Sequence, residues 1–557
     1  MSLITINQVN CKDCYKCVRF CPVKAIRVVD GHAEVDEERC LSDGGCVHVC
    51  PQHAKHVRSD VDIVRGLLSS GQPVMASVAP SAAGIFGEDL PRLLGALKKL
   101  GFTRVEETAR TAEAVARAHA ALISAGKPVI TSACPAVVSL IEKYYPQHKH
   151  LLAPIPSPMV AHARLLREEY GQDTGVVFIG PCVAKKGETL DDNINAALTF
   201  DELLAWLDET NMPLASMPEG AFDNPPVGTA EVFPLLHGLL KTAGLPDGPL
   251  APSTLTVNGL TQVMALLDEL PSLEGVGLIE VLACEGGCLQ GPGAVYGPPL
   301  WARRGQLLKH TQEDGCGAAP TDMSRSFNTP ALVLTQATEA EIAAILRRTG
   351  KHYPADEQNC GACGYDTCRA KALAVFQGMA EAEMCVPYMR TRAESFANVV
   401  IRSTPNGIVI VDSSLRILDV NPAFSTMFKR PSTEMIGRPL KTVLDPSGYE
   451  RVQRTDRPFG RHEVKYPNLV TREMIFPVAD EEIIIGIYVD VTEEVMRQTK
   501  QLSVKHETLQ KTHQVIEKQM RVAQEIAGLL GETTAETKVL LTRLVRLYDE
   551  EEGKEKE

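Results

Sequence analysis

Cysteine spacing constrains this 557-residue chain more than any other feature, because sixteen cysteines recur in a few patterned sets. Cys11, Cys14, Cys17 and Cys21 open one run, CKDCYKCVRFCP, and Cys40, Cys46 and Cys50 punctuate a second, CLSDGGCVHVCP. Cys134, Cys182, Cys284 and Cys288 are dispersed, whereas Cys360, Cys363, Cys368 and Cys385 are again close together and Cys316 stands alone. A chain this long needs no disulfides to make a core, so tight spacings of this kind point to metal ligation or catalysis. Segments bearing thiols that share one centre must fold back onto each other, so much of the chain path is dictated by these positions.

Length alone implies several cores, three to five by size. The 44% hydrophobic and 23% charged content is that of a folded globular protein, not a disordered one. The net charge of −13 and the lack of a lysine/arginine stripe argue against nucleic acid or an anionic membrane surface as partner. No apolar run approaches the roughly 20 residues a spanning helix needs. The start, MSLITINQVNCKDC, lacks a basic region followed by an apolar stretch. The expected location is cytoplasmic.

Each half of residues 11 to 51 resembles the bacterial ferredoxin run C-x2-C-x2-C-x3-C-P, in which three cysteines hold one 4Fe–4S cluster and the fourth serves the other. The resemblance implies one cluster on Cys11, Cys14, Cys17 and Cys50, and a second on Cys21, Cys40, Cys46 and position 43. Position 43 is Asp43, a harder ligand than thiolate. Either its carboxylate completes the second cluster or that cluster is a three-iron form. A degenerate hairpin without iron is the plainer alternative.

Four apolar runs, at 74–80, 128–135, 175–182 and 277–288, read as strands buried on both faces, as in parallel sheets. Helical patterns accompany them, AVVSLIEKYY and TLTVNGLTQVMALLDEL among them. In α/β sheets ligands sit beyond the carboxyl ends of the strands. Cys134, Cys182, Cys284 and Cys288 all fall there, beside Pro or Gly, and are expected to converge on an iron–sulfur site, with free core cysteines as the plainer alternative.

The segments TSACP, GPCVAKKGE and EVLACEGGCLQG resemble the signatures of FeFe-hydrogenases, T-S-C-C-P, M-P-C-x-x-K-x-x-E and E-x-M-A-C-x-x-G-C-x-x-G. The likeness runs over about residues 70 to 345. It implies that Cys134, Cys182, Cys284 and Cys288 hold the 4Fe–4S part of an H-cluster. By the same resemblance Cys288 bridges to a diiron subsite carrying carbon monoxide, cyanide and a bridging dithiolate. Lys185 would hydrogen-bond a cyanide, Pro181 would line the cofactor site, and Glu188 fills a motif position. A charge-assisted donor suits an anionic ligand in a dry pocket.

Departures from the signature carry their own message. The proton-relay cysteine of the family is Ala133 here, and a methyl group carries no proton. The methionines of the second and third segments are Gly180 and Leu282. The segment 107–119, ETARTAEAVARAH, lacks the paired glutamates of the family's helix. A missing general acid is worth about 10²–10⁴ in rate, so the expected hydrogen oxidation and proton reduction are slow, not absent.

The set C-x2-C-x4-C-x16-C at Cys360, Cys363, Cys368 and Cys385 resembles the small iron–sulfur domain of electron-transfer and corrinoid proteins. It implies a further 4Fe–4S cluster, with zinc as the competing occupant. Cys316, in EDGCGAAP, belongs to no set.

Residues 396 to 492 show short alternating strands, a turn at DSSLR and a helix start at Asn421-Pro422, and resemble a PAS domain. No haem-ligating histidine or flavin-reactive cysteine stands out, so any PAS ligand is unknown and an empty fold is the simpler reading. Val495, Leu502, Leu509, Ile516, Ala523 and Leu530 recur every seven residues, with Thr499, His506, His513, Met520 and Ala527 on the companion seam. This predicts a parallel, dimerising coiled coil.

The expected fold is multidomain α+β and α/β: a two-cluster ferredoxin module (1–60), a hydrogenase-type domain with parallel sheets (61–347), a small 4Fe–4S domain (348–390), a PAS domain (391–495), a coiled-coil helix (496–545) and a charged, disordered tail (546–557). The arrangement resembles sensory FeFe-hydrogenases. It implies a homodimeric hydrogen or redox sensor that exchanges electrons with a donor or acceptor such as ferredoxin and signals to a separate kinase or phosphatase. The alternative is an iron–sulfur electron-transfer or redox-sensing protein without the diiron subsite.

Overall fold

The computed structural model describes residues 3–123, 128–189, 194–248, 251–478 and 482–552. The chain divides into two compact units, Met1–Met389 and Arg390–Glu557.

The first unit opens with a small duplicated module. Strand Ile4–Ile6 pairs antiparallel with Lys55–Val57, and Ile26–Val29 pairs antiparallel with His32–Val35. Short helices Lys16–Phe20 and Gly45–His48 follow the two cysteine loops, so each half of the repeat is built alike.

Two parallel sheets come next. One runs in the order Arg104–Glu107, Val74–Val78, Gly175–Gly180, Ala196–Thr199. The other runs Thr254–Asn258, Leu278–Leu282, Val129–Ile130. Every residue of Val74–Val78, Gly175–Gly180 and Leu278–Leu282 is buried, the signature of parallel strands covered on both faces. The four expected strands are all present, divided between two sheets. The stretch read as helical at 254–270 is a strand for its first five residues, TLTVN, and helix only from Leu260 to Glu269. The β-branched Thr254, Thr256 and Val257 pair with Leu278–Leu282 and win over the helical periodicity. Caps are set locally: Thr199 and Glu202 form a reciprocal capping box on helix Phe200–Glu209, and Ser157 caps Pro158–Tyr170.

The small cysteine domain packs helix Glu339–Arg348 against Cys368–Phe376. In space it lies on the duplicated module at the front of the chain. Arg19 Nη1 donates to the Ala362 carbonyl at 2.9 Å and Lys24 Nζ to that of Gly364 at 2.9 Å. Glu381 accepts from the Asp30 and Gly31 amides, and Arg39 reaches Gln377. Gly364, at φ +96°, lets this contact close, since a Cβ there would meet Val18 Cγ1 at 2.8 Å.

The second unit contains a five-stranded antiparallel sheet in the order Ile417–Val420, Gly407–Asp412, Ile483–Asp490, Leu469–Val478, Phe459–Tyr466. Asn421 caps helix Pro422–Met427 through Phe424 N and also donates to the carbonyls of Ile401 and Asn406. The core is aromatic: Phe424 packs on Phe428 and Tyr488, and the buried Tyr449 and Tyr488 hydroxyls lie 3.0 Å apart. Helix Thr492–Glu552 leaves this sheet. It extends through 546–552, read from sequence as a disordered tail; DEEE is made of residues compatible with continuing a helix. Residues 553–557 lie outside the described residues. Leu502, Leu509 and Ile516 are more than half exposed on it, and the polar residues around them are exposed as well.

Candidate metal centres

The dispersed cysteines meet at the ends of three buried strands. Cys134 follows strand Val129–Ile130 and caps helix Pro135–Tyr144 in an extended conformation, with Pro135 supplying a first helical residue that needs no amide partner. Cys182 follows Gly175–Gly180, and Cys284 and Cys288 follow Leu278–Leu282. Burial pushes the Cys182 thiol up to about 11 and Cys288 to about 12. Cys284 is raised well above the ordinary thiol range by burial and by Cys182, Cys288 and Cys134 beside it. Cys134, Cys182 and Cys288 line one cavity, and Cys284 stands near enough to all three for their charges to act on it. Buried thiols that resist ionisation alone are ionised by a metal, so the donor set fits a cluster and little else.

A cavity of about 680 Å³, counted with its mouth, opens on this set. Cys134, Cys182, Cys288, Ala133, Pro181, Phe178, Leu282, Met159 and Phe233 contribute to its wall, and Lys185 supplies the charge. The Lys185 ammonium donates to Glu188 Oε2 at 2.8 Å, and Ser157 Oγ donates to the same oxygen at 2.8 Å. Arg325 pairs with the other carboxylate oxygen. Burial would raise the Glu188 carboxyl, but Lys185 and Arg325 outweigh it and hold the group below its usual range. Glu188 is therefore a buried anchor that orients Lys185. The position where the signature carries methionine has no room for one: a Cβ on Gly180 would stand 2.6 Å from the Phe178 ring, which lines the cavity instead. Ala133 presents only its methyl group.

The front module holds the first two cysteine sets. Cys11, Cys14, Cys17 and Cys50 line one small cavity. Burial raises Cys21 to about 12 and also raises Cys40 and Cys46, and Asp43 raises all three further. Asp43 is itself raised by burial and accepts from Gly45 N at 3.0 Å. Gly44, at φ +82°, sits so close that a Cβ would meet Val183 and Pro292 at 2.8 Å, which places the Asp43 loop against the residue next to Cys182. The third set also converges: Cys363 is raised by burial and by Cys385 and Cys360, and Lys351 Nζ lies 3.3 Å from Cys385 Sγ. Cys368 opens helix Cys368–Phe376 beside them. Cys316 is exposed and stands apart from these sets. Among the described residues no three His, Cys, Asp or Glu side chains converge tightly enough for a single ion.

Two polar groupings beside the cavity escaped the sequence. Thr108, on the cavity wall, lies 2.8 Å from Ser77 Oγ, and Ser77 lies 2.8 Å from His162 Nδ1. His162 Nε2 stands 3.5 Å from Glu106, which Arg110 links to the part-exposed Glu169. Burial lowers His162 against the pull of Glu106; Glu106, despite burial, is lowered to about 2 by His162, Arg110 and Arg104. The second grouping is the buried pair Glu107 and Glu231. Burial and Glu231 raise Glu107, and burial lifts Glu231 to about 7. The helix here, Ala112–Ala121, carries the single glutamate Glu113, and Glu106 and Glu107 stand at the end of the preceding strand. The dipeptide Glu106-Glu107 closing strand Arg104–Glu107 was the available signal.

Family comparisons agree with this division. Residues 72–292 match the iron only hydrogenase large subunit, C-terminal domain; 3–51 a 4Fe-4S dicluster domain; 357–387 a putative Fe-S cluster domain; and 401–459 the PAS fold. The NADP-reducing hydrogenase subunit HndD of Solidesulfovibrio fructosivorans is 25% identical over 328 residues, 46% of this chain and 56% of that protein. Iron hydrogenase 1 of Clostridium pasteurianum is 22% identical over 377 residues, 53% of this chain and 65% of that one. The chain thus spans between half and two thirds of the length of these relatives. An apo structure of an FeFe-hydrogenase variant from Chlamydomonas reinhardtii aligns at a TM-score of 0.39 and 19% identity, over 49% of this chain and 92% of that one. No helix among the described residues is long and apolar enough to cross a membrane.

Proposed function

We propose that this chain, which joins an iron-only hydrogenase-type domain to dicluster, iron–sulfur and PAS domains, is a hydrogen-responsive redox sensor with slow reversible hydrogen oxidation. The observation that carries the reading is that Cys134, Cys182 and Cys288, with Cys284 close by, stand on an apolar cavity charged by Lys185 alone among its described lining residues. A diiron subsite held in this cavity beside Cys288 would supply the splitting of hydrogen into two protons and two electrons.

The chain's own residues do the rest. The cysteines hold the cluster. Lys185, oriented by Glu188, offers a charge-assisted donor to an anionic ligand in a dry site. Phe178, Leu282, Met159 and Phe233 exclude water. Ala133 cannot accept a proton, so the connected hydroxyl route from the cavity wall is Thr108 to Ser77 to His162 Nδ1, with Glu106 and Glu169 beyond. This route starts on a weakly acidic hydroxyl, which accounts for slow turnover. Electrons leave past Val183 to the Asp43 loop, through the dicluster module, and onward to the small domain docked by Arg19. The PAS fold and the long helix are the readout, with dimerisation through the exposed heptad seam and a separate kinase or phosphatase as output.

The test is reduction of the accessory clusters by hydrogen in protein matured with the diiron subsite. Slow bleaching of the iron–sulfur absorbance under hydrogen, absent under argon, is expected. No bleaching in fully loaded protein would move the assignment to an electron-transfer protein without the diiron subsite.

A further inference from the structure

The two halves of the front module repeat one motif: Cys21-Pro22-Val23-Lys24-Ala25-Ile26 and Cys50-Pro51-Gln52-His53-Ala54-Lys55. Both final positions begin a strand and both are buried, Ile26 at 1% exposure and Lys55 at 4%. One half thus places an alkyl side chain where the other places an ammonium. Lys55 lines the cavity shared by Cys11, Cys14, Cys17 and Cys50, and its Nζ has no hydrogen-bond partner among the described residues. The carboxylate that also lines this cavity, Asp13, lies 3.6 Å from His32 Nδ1 and is not a hydrogen-bond partner of Lys55 Nζ. Burying an ammonium without a partner is strongly unfavourable, so the site is built for an anion.

We propose that Lys55 is a positioning residue for electron transfer: its ammonium donates to the sulfur atoms of the cluster on Cys11, Cys14, Cys17 and Cys50 and raises that cluster's potential above its neighbour's. Reduction adds one electron and one negative charge, which a fixed buried cation beside the cluster stabilises. The second set has a carboxylate in its loop instead: Asp43 accepts from Gly45 N at 3.0 Å. The two sites thus differ in the sign of the charge built beside them, and the first is the one that favours the added electron.

The proposal rests on the two-cluster part of the preceding reading and is independent of the diiron subsite, so the full chain without that subsite is the material to use. Lys55→Met and Lys55→Gln are compared with the parent by potentiometric titration followed by electron paramagnetic resonance, with iron and sulfide counted. Lys55→Met is expected to lower the reduced-to-oxidised ratio of the first cluster at least tenfold at fixed potential, 59 mV for a one-electron couple. Lys55→Gln, which keeps a donor without the charge, is expected to fall between. Unchanged midpoints with full iron loading would overturn the assignment. Should Lys55→Met fail to load, the parent protein labelled with ε-15N lysine decides: a 15N hyperfine coupling on the reduced cluster is expected, and its absence would overturn the assignment equally.

Discussion

The ammonium of Lys185 and the carboxylate of Glu188 meet at 2.8 Å across one turn at the wall of the cysteine-lined cavity, with Arg325 on the carboxylate's other oxygen. Glu188 is almost wholly buried, so it is the shared partner of two cations. Glu188→Ala is expected to cost about 3–5 kcal/mol, because it leaves buried positive charge uncompensated. Denaturant titration should show this as a lower midpoint with an unchanged slope. A midpoint equal to the parent's would mean that water already compensates the pair.

Ala133 and Ser77 are two ends of one argument about protons. Restoring the thiol by Ala133→Cys is expected to raise hydrogen turnover by about 10²-fold or more. Ser77→Ala, which interrupts Thr108–Ser77–His162, is expected to lower the already slow turnover of the parent by about tenfold and to matter little in the Ala133→Cys background. Equal losses from Ser77→Ala in both backgrounds would show that the hydroxyl route carries no protons.

Glu231 and Glu280 are both lifted to about 7 by burial. A carboxyl whose folded value lies above its unfolded value binds its proton more tightly when folded. Stability from these groups is therefore complete below about pH 4.5 and declines as pH rises through 7, levelling above it. Glu231→Gln, which replaces a buried acid whose Oε2 has no hydrogen-bond partner, is expected to flatten the decline between pH 5 and 8. Thermal melts across that range would show it; an unaltered slope would contradict the assignment.

Gly364 faces Val18 at a backbone angle that side chains avoid. Gly364→Ala is expected to cost about 1–3 kcal/mol and to loosen the small domain from the dicluster module. Faster proteolysis within residues 350–385 under native conditions is the readout.

The exposed Leu509 and Ile516 lie one heptad apart on helix Thr492–Glu552. Replacing both with Lys is expected to convert a dimer into a monomer by light scattering, since each places a charge in the seam. A parent protein that is already monomeric would remove the dimeric readout from the account.

The sequence disclosed what depends on local spacing. Cys11 to Cys50 and Cys360 to Cys385 could be grouped because their ligands are close in the chain, and Cys134, Cys182, Cys284 and Cys288 because each ends an apolar run. What it hid depends on contacts between distant residues. Ser77 and His162 are 85 positions apart, and Arg19 and Ala362 are 343 apart. Neither leaves a periodicity or a motif behind. The ring of Phe178 occupying the space beside Gly180 was hidden for another reason: alternation along one strand says which face a residue takes, not which neighbour bends into a gap. Lys55 was passed over because a lysine two residues past a histidine reads as surface until its burial is seen.

The central claim is that the cavity beside Cys288 holds a hydrogen-responsive diiron centre. Infrared spectroscopy of the matured protein under hydrogen and under argon tests it most directly, because carbon monoxide and cyanide stretches fall where protein does not absorb. Bands that are present and shift between the two gases are the predicted result. Their absence in protein fully loaded with iron and sulfide would contradict the claim and leave a multi-cluster redox protein in a hydrogenase-type fold.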